Sequence, residues 1–296
     1  MKPLLVASAL SVPKSKLVYG LTTVVEYAQL RRLVGKTWLC ILLISLCCVS
    51  VGVGQLAFTS QTGAGALVTE DFTGFDGSGF SPTPSAGQLN SSEWRVRRLS
   101  DGNTGWGDTA TTGDFARGSS PGGINAGGIY GFDVDNGAGV NRALGVQATN
   151  GDFTWGRMDW RINNNTGDTI DTLDIAYDIY LNNDQNRVSS FNFSFVDDDG
   201  ATLVSSLDYT TLGTADANGW IQVSMNATLD VNLGDGNNIL FRWRGDDVSG
   251  NGRRDEIALD NLSAEVIPEP STYAIFIGIL AMAIVAIKKR RELSQA

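Results

Sequence analysis

Polar and apolar residues alternate with a period of two through the middle of the chain, from about residue 67 to residue 265. In one such segment, Ile239, Phe241 and Trp243 point to one side, whereas Arg242 and Arg244 point to the other. A period of two is that of a strand with one buried face, because successive side chains leave opposite sides of the backbone. The same pattern occurs at 130–134, 144–146, 158–162, 173–181, 191–195 and 221–225.

Short turn signals separate these segments, as at Asp101–Asn103, Asn150–Gly151, Asp199–Gly200 and Asn218–Gly219. Such pairs of Asn, Asp and Gly favour tight turns between strands. No segment between them has a clear helical period. About ten short strands without a helical crossover predict an all-β domain, an antiparallel β-sandwich of the jelly-roll type.

The N-terminal 66 residues have a different pattern. Three basic residues, Arg31, Arg32 and Lys36, precede an apolar stretch from Trp38 to Phe58, and small residues follow it. This order is typical of a secretory signal peptide. The cleavage candidates are Ala64 and Ala66, with an earlier possibility at Gly52 and Gly54. The alternative is an uncleaved N-terminal membrane helix.

A second apolar stretch, residues 273–287, lies near the C-terminus and contains no charged residue. As a helix it would be about 22 Å long, most of the roughly 30 Å hydrocarbon thickness of a bilayer. Four basic residues follow, Lys288, Lys289, Arg290 and Arg291, and basic residues remain on the cytoplasmic side. The pattern predicts a short transmembrane helix with the central domain outside the membrane.

Pro268, Glu269 and Pro270 precede this apolar stretch, and proline favours an extended, unpaired backbone. Together the three parts, residues 266–292, resemble the PEP-CTERM sorting signal of exopolysaccharide-producing Gram-negative bacteria. The resemblance implies that an exosortase, a membrane-embedded cysteine enzyme, cleaves near the motif. The protein would then pass from a transient membrane anchor to the cell surface or the extracellular matrix.

Charge and cysteine content narrow the function of the central domain. Of the 32 acidic and 22 basic residues, 30 and 12 lie between Leu67 and Pro270, which gives this region a charge of about −18. Such acidity argues against a nucleic-acid partner, since phosphates require a basic surface. The three cysteines, Cys40, Cys47 and Cys48, all lie in the N-terminal apolar stretch, so the domain has no disulfide and no cysteine nucleophile.

One loop has the spacing of calcium ligands. Counting from Asp247, oxygen-bearing side chains fall at positions 1, 3, 5 and 9, and Gly252 stands at position 6. Position 12 is Ala258, so the loop is not an EF-hand. The hypothesis is a looser calcium site whose ligands are Asp247, Ser249, Asn251, Asp255 and Asp260. The alternative is an acidic hairpin loop neutralised by Arg253 and Arg254.

The central region also resembles a bacterial extracellular domain found in PEP-CTERM and other surface proteins. The residues that carry this resemblance are Gly87–Ser91 with Trp94, Gly113–Gly118, Asn164–Gly167, Arg242–Trp243, Asp255–Glu256 and Leu259–Asn261. The resemblance implies a lectin-like or jelly-roll sandwich, and it implies no established activity.

Two functions follow from the sequence. The first is an exported, non-catalytic surface or matrix protein whose sandwich binds a glycan or a partner or is structural. Exposed Trp106, Trp155 and Tyr180 would suit sugar stacking. The alternative is a divergent carbohydrate-active enzyme, which would need two carboxylates about 5–10 Å apart. No catalytic residue is assigned, because the Glu-x-Asp-x-x-Glu strand motif of laminarinase-like glycosidases and any Ser/His/Asp set are absent.

Overall fold

The computed structural model describes residues 55–59, 65–135, 141–268 and 270–293. Within these residues the chain forms sixteen strands, two 3₁₀ turns (Gly113–Phe115 and Ser205–Leu207) and one α-helix, α1 (Pro270–Leu293). The strands are β1 (Ala57–Thr59), β2 (Leu67–Glu70), β3 (Phe75–Ser81), β4 (Gly87–Asn90), β5 (Trp94–Arg97), β6 (Ser119–Ser120), β7 (Gly128–Asp133), β8 (Arg142–Gln147), β9 (Arg157–Asn165), β10 (Ile170–Asn182), β11 (Val188–Asp197), β12 (Gly200–Leu203), β13 (Tyr209–Thr210), β14 (Trp220–Leu233), β15 (Asn238–Ser249) and β16 (Glu256–Val266).

Most of these strands belong to two seven-stranded sheets. Sheet A has the order β1-β9-β15-β11-β12, with β5 beside β9 and β13 beside β11. Sheet B has the order β14-β10-β16-β8-β7-β6, with β2 beside β16. Strands β3 and β4 form a separate parallel pair. The mostly antiparallel pairing agrees with the sequence, although β1–β9 and β6–β7 are also parallel.

The two sheets pack face to face through aromatic and aliphatic side chains. Tyr177 of β10 in sheet B lies 5.3 Å from the ring of Trp243 and 5.7 Å from that of Phe193, both in sheet A. The inward residues predicted on β10 are at most 2% exposed: Leu173, Ile175, Tyr177, Ile179 and Leu181. The predicted β-sandwich is therefore confirmed, while its assignment to the jelly-roll type stays a prediction.

The folded domain begins earlier than residue 67. Strand β1 pairs with β9 through residues 163–165, and Phe58 at its centre is completely buried. The backbone N–H of Leu56 also bonds the carboxylate of Glu93. Sequence analysis assigned this segment to the signal peptide because it is apolar. In the structure, that apolar character belongs to the core of the sandwich.

The cleavage candidates and the C-terminal motif lie at the margins of the described chain. Ala64 is outside the described residues, whereas Ala66 is buried and its carbonyl accepts a hydrogen bond from Val266. Pro268 follows the end of β16 and Pro270 begins α1, while Glu269 is outside the described residues.

Helix α1 contains both the predicted apolar segment and the basic residues that follow it. Its large apolar side chains are exposed where the structure describes them, at Phe276, Ile277, Ile279, Leu280, Met282, Ile284, Val285 and Ile287. Among the described residues, no helix has the length and apolarity needed to cross a membrane.

Candidate functional site

Arginine side chains converge on the outward side of sheet A. In β5, β9 and β15 every second residue is a buried apolar side chain, such as Trp94, Trp160 or Trp243. The residues between them must point away from the core, because side chains alternate along a strand. Five of them form what we call the arginine face: Arg95, Arg97, Arg157, Arg242 and Arg244.

The register of the strands aligns three of these arginines in a row. Arg97 of β5 lies opposite Arg157 of β9, which lies opposite Arg244 of β15. Adjacent strands are about 4.8 Å apart, and like charges directly opposite each other are destabilising. Next in this row is Asn192 of β11, which is exposed. The sheet thus holds three cations side by side across its open surface.

One carboxylate lies within the arginine face. Asp159 of β9 is completely buried and accepts hydrogen bonds from Arg95 at 2.5 and 3.0 Å and from Arg242 at 2.6 Å. Its carboxylate is also 3.5 Å from the Nε of Arg157. Among the described residues, one carboxylate against five guanidinium groups leaves an excess of positive charge on the face.

Two members of the face have no anionic partner of their own. Within the described residues, neither Arg97 nor Arg244 forms an ion pair. The buried Nε atoms of Arg97 and Arg157 also lack a hydrogen-bond acceptor there. Burial lowers the pKa of the Arg157 guanidinium, and three neighbouring arginines lower it further against the opposing effect of Asp159. The face is therefore electrostatically unsatisfied.

Two tryptophans border the arginine face. The guanidinium carbons of Arg95 and Arg161 each lie 4.3 Å from the ring centroid of Trp106, which is half-buried. The guanidinium carbon of Arg244 lies 4.5 Å from the ring of Trp155, which is 50% exposed. A cation over an indole ring is attracted by the negative face of the ring. These contacts hold each tryptophan ring against arginines of sheet A.

The loop that carries Trp155 is held in a strained conformation. Phe153 and Trp155 have φ values of 58° and 59°, in the left-handed region that bulky residues rarely adopt. Each such residue costs on the order of 1–3 kcal/mol and persists only where surrounding contacts impose it. Here the side chain of Phe153 is buried and its N–H bonds the carbonyl of Arg98. Strain of this kind concentrates at functional sites.

The outward side of sheet B has the opposite charge. Asp178 of β10 lies opposite Asp260 of β16, and Asp174 lies opposite Glu265. Asp260 is completely buried, and burial raises the pKa of its carboxyl to about 6. Six arginines lie in strands of sheet A, whereas one described arginine, Arg142, lies in sheet B.

The residues of the calcium hypothesis have separate partners. Asp247 pairs with Arg187 through two hydrogen bonds and lies 3.6 Å from Arg254. The bonds from Arg187 hold the pKa of Asp247 below its usual value. Ser249 and Asn251 are exposed. The alternative hypothesis is a loop neutralised by Arg253 and Arg254, and of these two residues Arg254 lies 3.6 Å from Asp247.

The two other proposed ligands are buried. Asp255 accepts the N–H of Gln185, and burial raises the pKa of its carboxyl to about 6. Asp260 accepts hydrogen bonds from Asn141 and from the N–H of Asn261. Among the described residues, no group of three or more His, Cys, Asp or Glu side chains is placed to hold a metal ion. The calcium site stays a prediction.

Several acids have pKa values suited to proton transfer but lie inside the domain. Burial raises the pKa values of Glu93 and Glu256 to about 7. Glu256 is completely buried and accepts hydrogen bonds from the N–H of Ile124 and the side chain of Asn182. Since Glu256 is completely buried and Glu93 is only 8% exposed, neither carboxyl is accessible to a substrate. These acids tie loops to strands.

The loop that carries Trp106 also forms an open cleft of about 540 Å³. Its lining is mostly polar and contains Asp101, Asn103, Thr104, Asp108, Thr109, Ala110, Thr111, Thr112 and Phe115. Phe115 is 7% exposed, so the cleft presents little aromatic surface. The arginine face therefore offers the stronger combination of charge and exposed ring.

Only part of this site is predictable from the sequence. The alternating pattern places Arg242 and Arg244 on the solvent side, which the structure confirms. Of the three aromatic residues predicted to be exposed, Trp106 and Trp155 border the face, but Tyr180 is only 8% exposed, so that prediction was wrong. The other arginines carried a usable signal, since Trp94–Arg97 and Arg157–Arg161 also alternate apolar and polar residues. What the sequence lacked was the pairing order that sets these segments side by side.

No family model and no curated protein matches this chain. Among solved structures, it is similar to the CBM22-1 xylan-binding domain of Xyn10C from Paenibacillus barcinonensis, with a TM-score of 0.36 and 10% identity, covering 70% of this chain and 97% of that chain. A non-crystalline cellulose-specific module, CBM28, gives a TM-score of 0.31 and 16% identity over 48% of this chain and 81% of that chain. The K2 cleaved adhesin domain of Lys-gingipain gives a TM-score of 0.34 and 16% identity over 69% of this chain and 99% of that chain. At these scores the likeness carries no argument about what this chain binds.

Proposed function

We propose that this protein is an exported, non-catalytic surface or matrix protein whose jelly-roll-like sandwich binds an extracellular polysaccharide at the arginine face. The observation that carries the proposal is the half-exposed ring of Trp155, fixed on Arg244 beside an open row of arginines. A flat indole stacks on the apolar face of a sugar ring, while guanidinium groups donate hydrogen bonds to its oxygen atoms.

The binding test uses the full chain in detergent and a panel of neutral and charged polysaccharides. Retention of the protein in gels that contain each polysaccharide measures binding, and new reducing ends measure cleavage. Trp155→Ala is expected to weaken retention because it removes the stacking surface. Leu212→Ala, which removes an exposed apolar side chain outside the arginine face, is the control. Failure of every polysaccharide to retard the protein would refute the proposed function, and new reducing ends would favour the carbohydrate-active enzyme.

For export, the proposal is that residues 1–54 contain the signal peptide and that an exosortase recognises Pro268, Glu269 and Pro270. What supports it is the order of the sequence, in which the motif precedes an apolar segment and four basic residues. The motif also follows the last strand directly, so the enzyme would cut at the edge of the domain. The apolar segment would anchor the protein in the membrane until cleavage.

Replacing the three motif residues by Ala tests the sorting step. Export should continue, because it depends on the N-terminal segment, but the protein should keep its C-terminal tail and stay in the inner membrane. Fractionation and mass spectrometry of the C-terminus measure this. Release of the Ala variant at the parent's rate would refute exosortase processing without affecting the glycan proposal.

A further inference from the structure

We infer that the polysaccharide bound at the arginine face is a polyanion whose charges are carboxylates, as in a chain of uronic acid residues. This inference rests on the proposed function and specifies the ligand class of the same site. It follows from three features of the face: its uncompensated charge, the carboxylate it already binds and the alignment of its open row.

The charge of the face is opposite to that of the domain that carries it. The region from Leu67 to Pro270 has a charge of about −18, which repels a polyanion at long range. Exposed charges are largely screened beyond about 8 Å at physiological salt. A polyanion in contact with the sheet therefore responds mainly to the nearby guanidinium groups. A neutral glycan would accept hydrogen bonds from the row, but it would leave the mutual repulsion of these like charges uncompensated.

The face already shows how it binds a carboxylate. Asp159 is bound through the Nε and Nη2 atoms of Arg95 and through the Nε atom of Arg242. Both donors of Arg95 bond one oxygen of this carboxylate and Arg242 bonds the other, and such charge-assisted contacts are the ones for which guanidinium groups suit carboxylates. In the neighbouring row, Arg157 lies 3.5 Å from Asp159 and its side chain is 32% exposed. Arg97 and Arg244 of that row form no ion pair among the described residues, and Arg244 is exposed. A ligand carboxylate would bind the arginines of this row as Asp159 binds Arg95 and Arg242.

The alignment favours a polymer over a single small anion. Arg97, Arg157 and Arg244 cross three adjacent strands, so the row extends about 10 Å across the sheet. Trp155 stands at the Arg244 end, where it can stack a sugar ring. A chain that repeats both a ring and a carboxylate meets both features at once.

A second copy of the protein is the competing occupant, since sheet B has an acidic outward side with Asp174 opposite Glu265. Such a contact would join unlike faces of two molecules and would propagate into a filament. The exposed Trp155 ring favours the sugar polymer, because a flat indole offers a sugar ring a stacking surface. The test below separates the two occupants.

The experiment measures binding of the full chain in detergent to polygalacturonate and to its fully methyl-esterified form. The ester keeps the rings and removes the charge. Dextran sulfate and duplex DNA serve as polyanions that carry no carboxylate. We expect binding to polygalacturonate at least about tenfold tighter than to the other three, because carboxylates fit the guanidinium pairs and the open tryptophan fits the sugar.

Arg157→Gln should weaken binding to polygalacturonate by about tenfold and reduce its dependence on salt, because one charge-assisted contact is lost. Arg157→Lys keeps the charge without the planar pair of donors and should recover only part of the affinity. Arg253→Gln removes the same charge from an exposed loop residue outside the face and should leave binding within about twofold. Far-ultraviolet circular dichroism confirms that each variant is folded.

Equal affinity for the ester would overturn the inference and leave the proposed glycan binding intact. No binding to any polysaccharide would overturn both. Equally tight binding of DNA or dextran sulfate would also overturn the inference, because the face would then bind polyanions in general and not carboxylates in particular. If instead the protein bound no polysaccharide but self-associated with rising concentration, and Arg157→Gln abolished that association, the face would be assigned to a second copy of the chain.

Discussion

Replacing Asp159 by Asn removes the only carboxylate found within the arginine face in the described part of the chain. Asn keeps the size of the side chain but loses its charge, and its amide group brings donors towards the donors of Arg95 and Arg242. Removing one partner of a buried ion pair costs about 3–5 kcal/mol, because the remaining charge stays buried and unpaired. The side chains of the two arginines are 10% and 18% exposed, so water can solvate them in part.

We therefore expect the lower end of this range, a loss of about 3 kcal/mol in the free energy of unfolding. For a domain of about 150–250 residues, each kcal/mol lowers the melting temperature by about 2–4 °C, which gives a fall of about 6–12 °C. Urea unfolding followed by tryptophan fluorescence measures the free energy, and circular dichroism measures the melting temperature. Raising the salt concentration should restore part of the loss, because salt screens the repulsion among the arginines.

Asp230→Asn provides the matched control, since Asp230 is exposed on β14 in the other sheet. Its effect should stay within about 0.5 kcal/mol, as for most surface substitutions. A loss of less than about 1 kcal/mol in the Asp159 variant would mean that the arginines disperse their charge without this carboxylate. The account of the face as electrostatically unsatisfied would then be wrong.

Three further predictions concern the rest of the domain. Raising the pH from about 5 to about 8 should lower the urea midpoint, because burial raises the pKa of Glu256 to about 7, so that only the folded state holds this proton between about pH 4.5 and pH 7. Glu256→Gln should make this fall smaller without abolishing it, because burial also raises the pKa of Glu93 to about 7. A chain that begins at Leu67 lacks Phe58 and should lose about 3–5 kcal/mol relative to one that begins at residue 53, and mass spectrometry of the exported protein should find an N-terminus before β1. Bound calcium should raise the melting temperature relative to chelator, and Asp247→Ala with Asn251→Ala should abolish that rise; equal melting temperatures would instead assign the neutralisation to the neighbouring arginines.

The strands were predictable because their signal is local. Each inward residue of β10, from Leu173 to Leu181, alternates with a more polar neighbour, and the same period marks β9, β11 and β15. Alternation requires only that one side of a strand be buried, whatever the strand pairs with. The sorting motif was found for a similar reason, since its parts are contiguous in the sequence.

The apolar character of Phe58 misled the sequence analysis, because composition alone does not distinguish a signal peptide from a short core strand. Only its parallel pairing with β9 places it in the domain. The sequence also could not show which cations from distant parts of the chain lie beside the calcium loop. Arg187, sixty residues before Asp247, binds that carboxylate because β11 and β15 are neighbours.

By itself, then, the sequence determined the fold class, the positions of the longer strands and the buried side of β9, β10, β11 and β15. It also determined which ionisable residues the domain contains. The tertiary structure alone decided that arginines from β5, β9 and β15 meet on one face of sheet A, around the buried Asp159. The physical reason is that the period along a strand depends on neighbouring residues, whereas the order and register of strands depend on contacts between residues far apart in the chain. A site built across several strands has no contiguous pattern in the sequence.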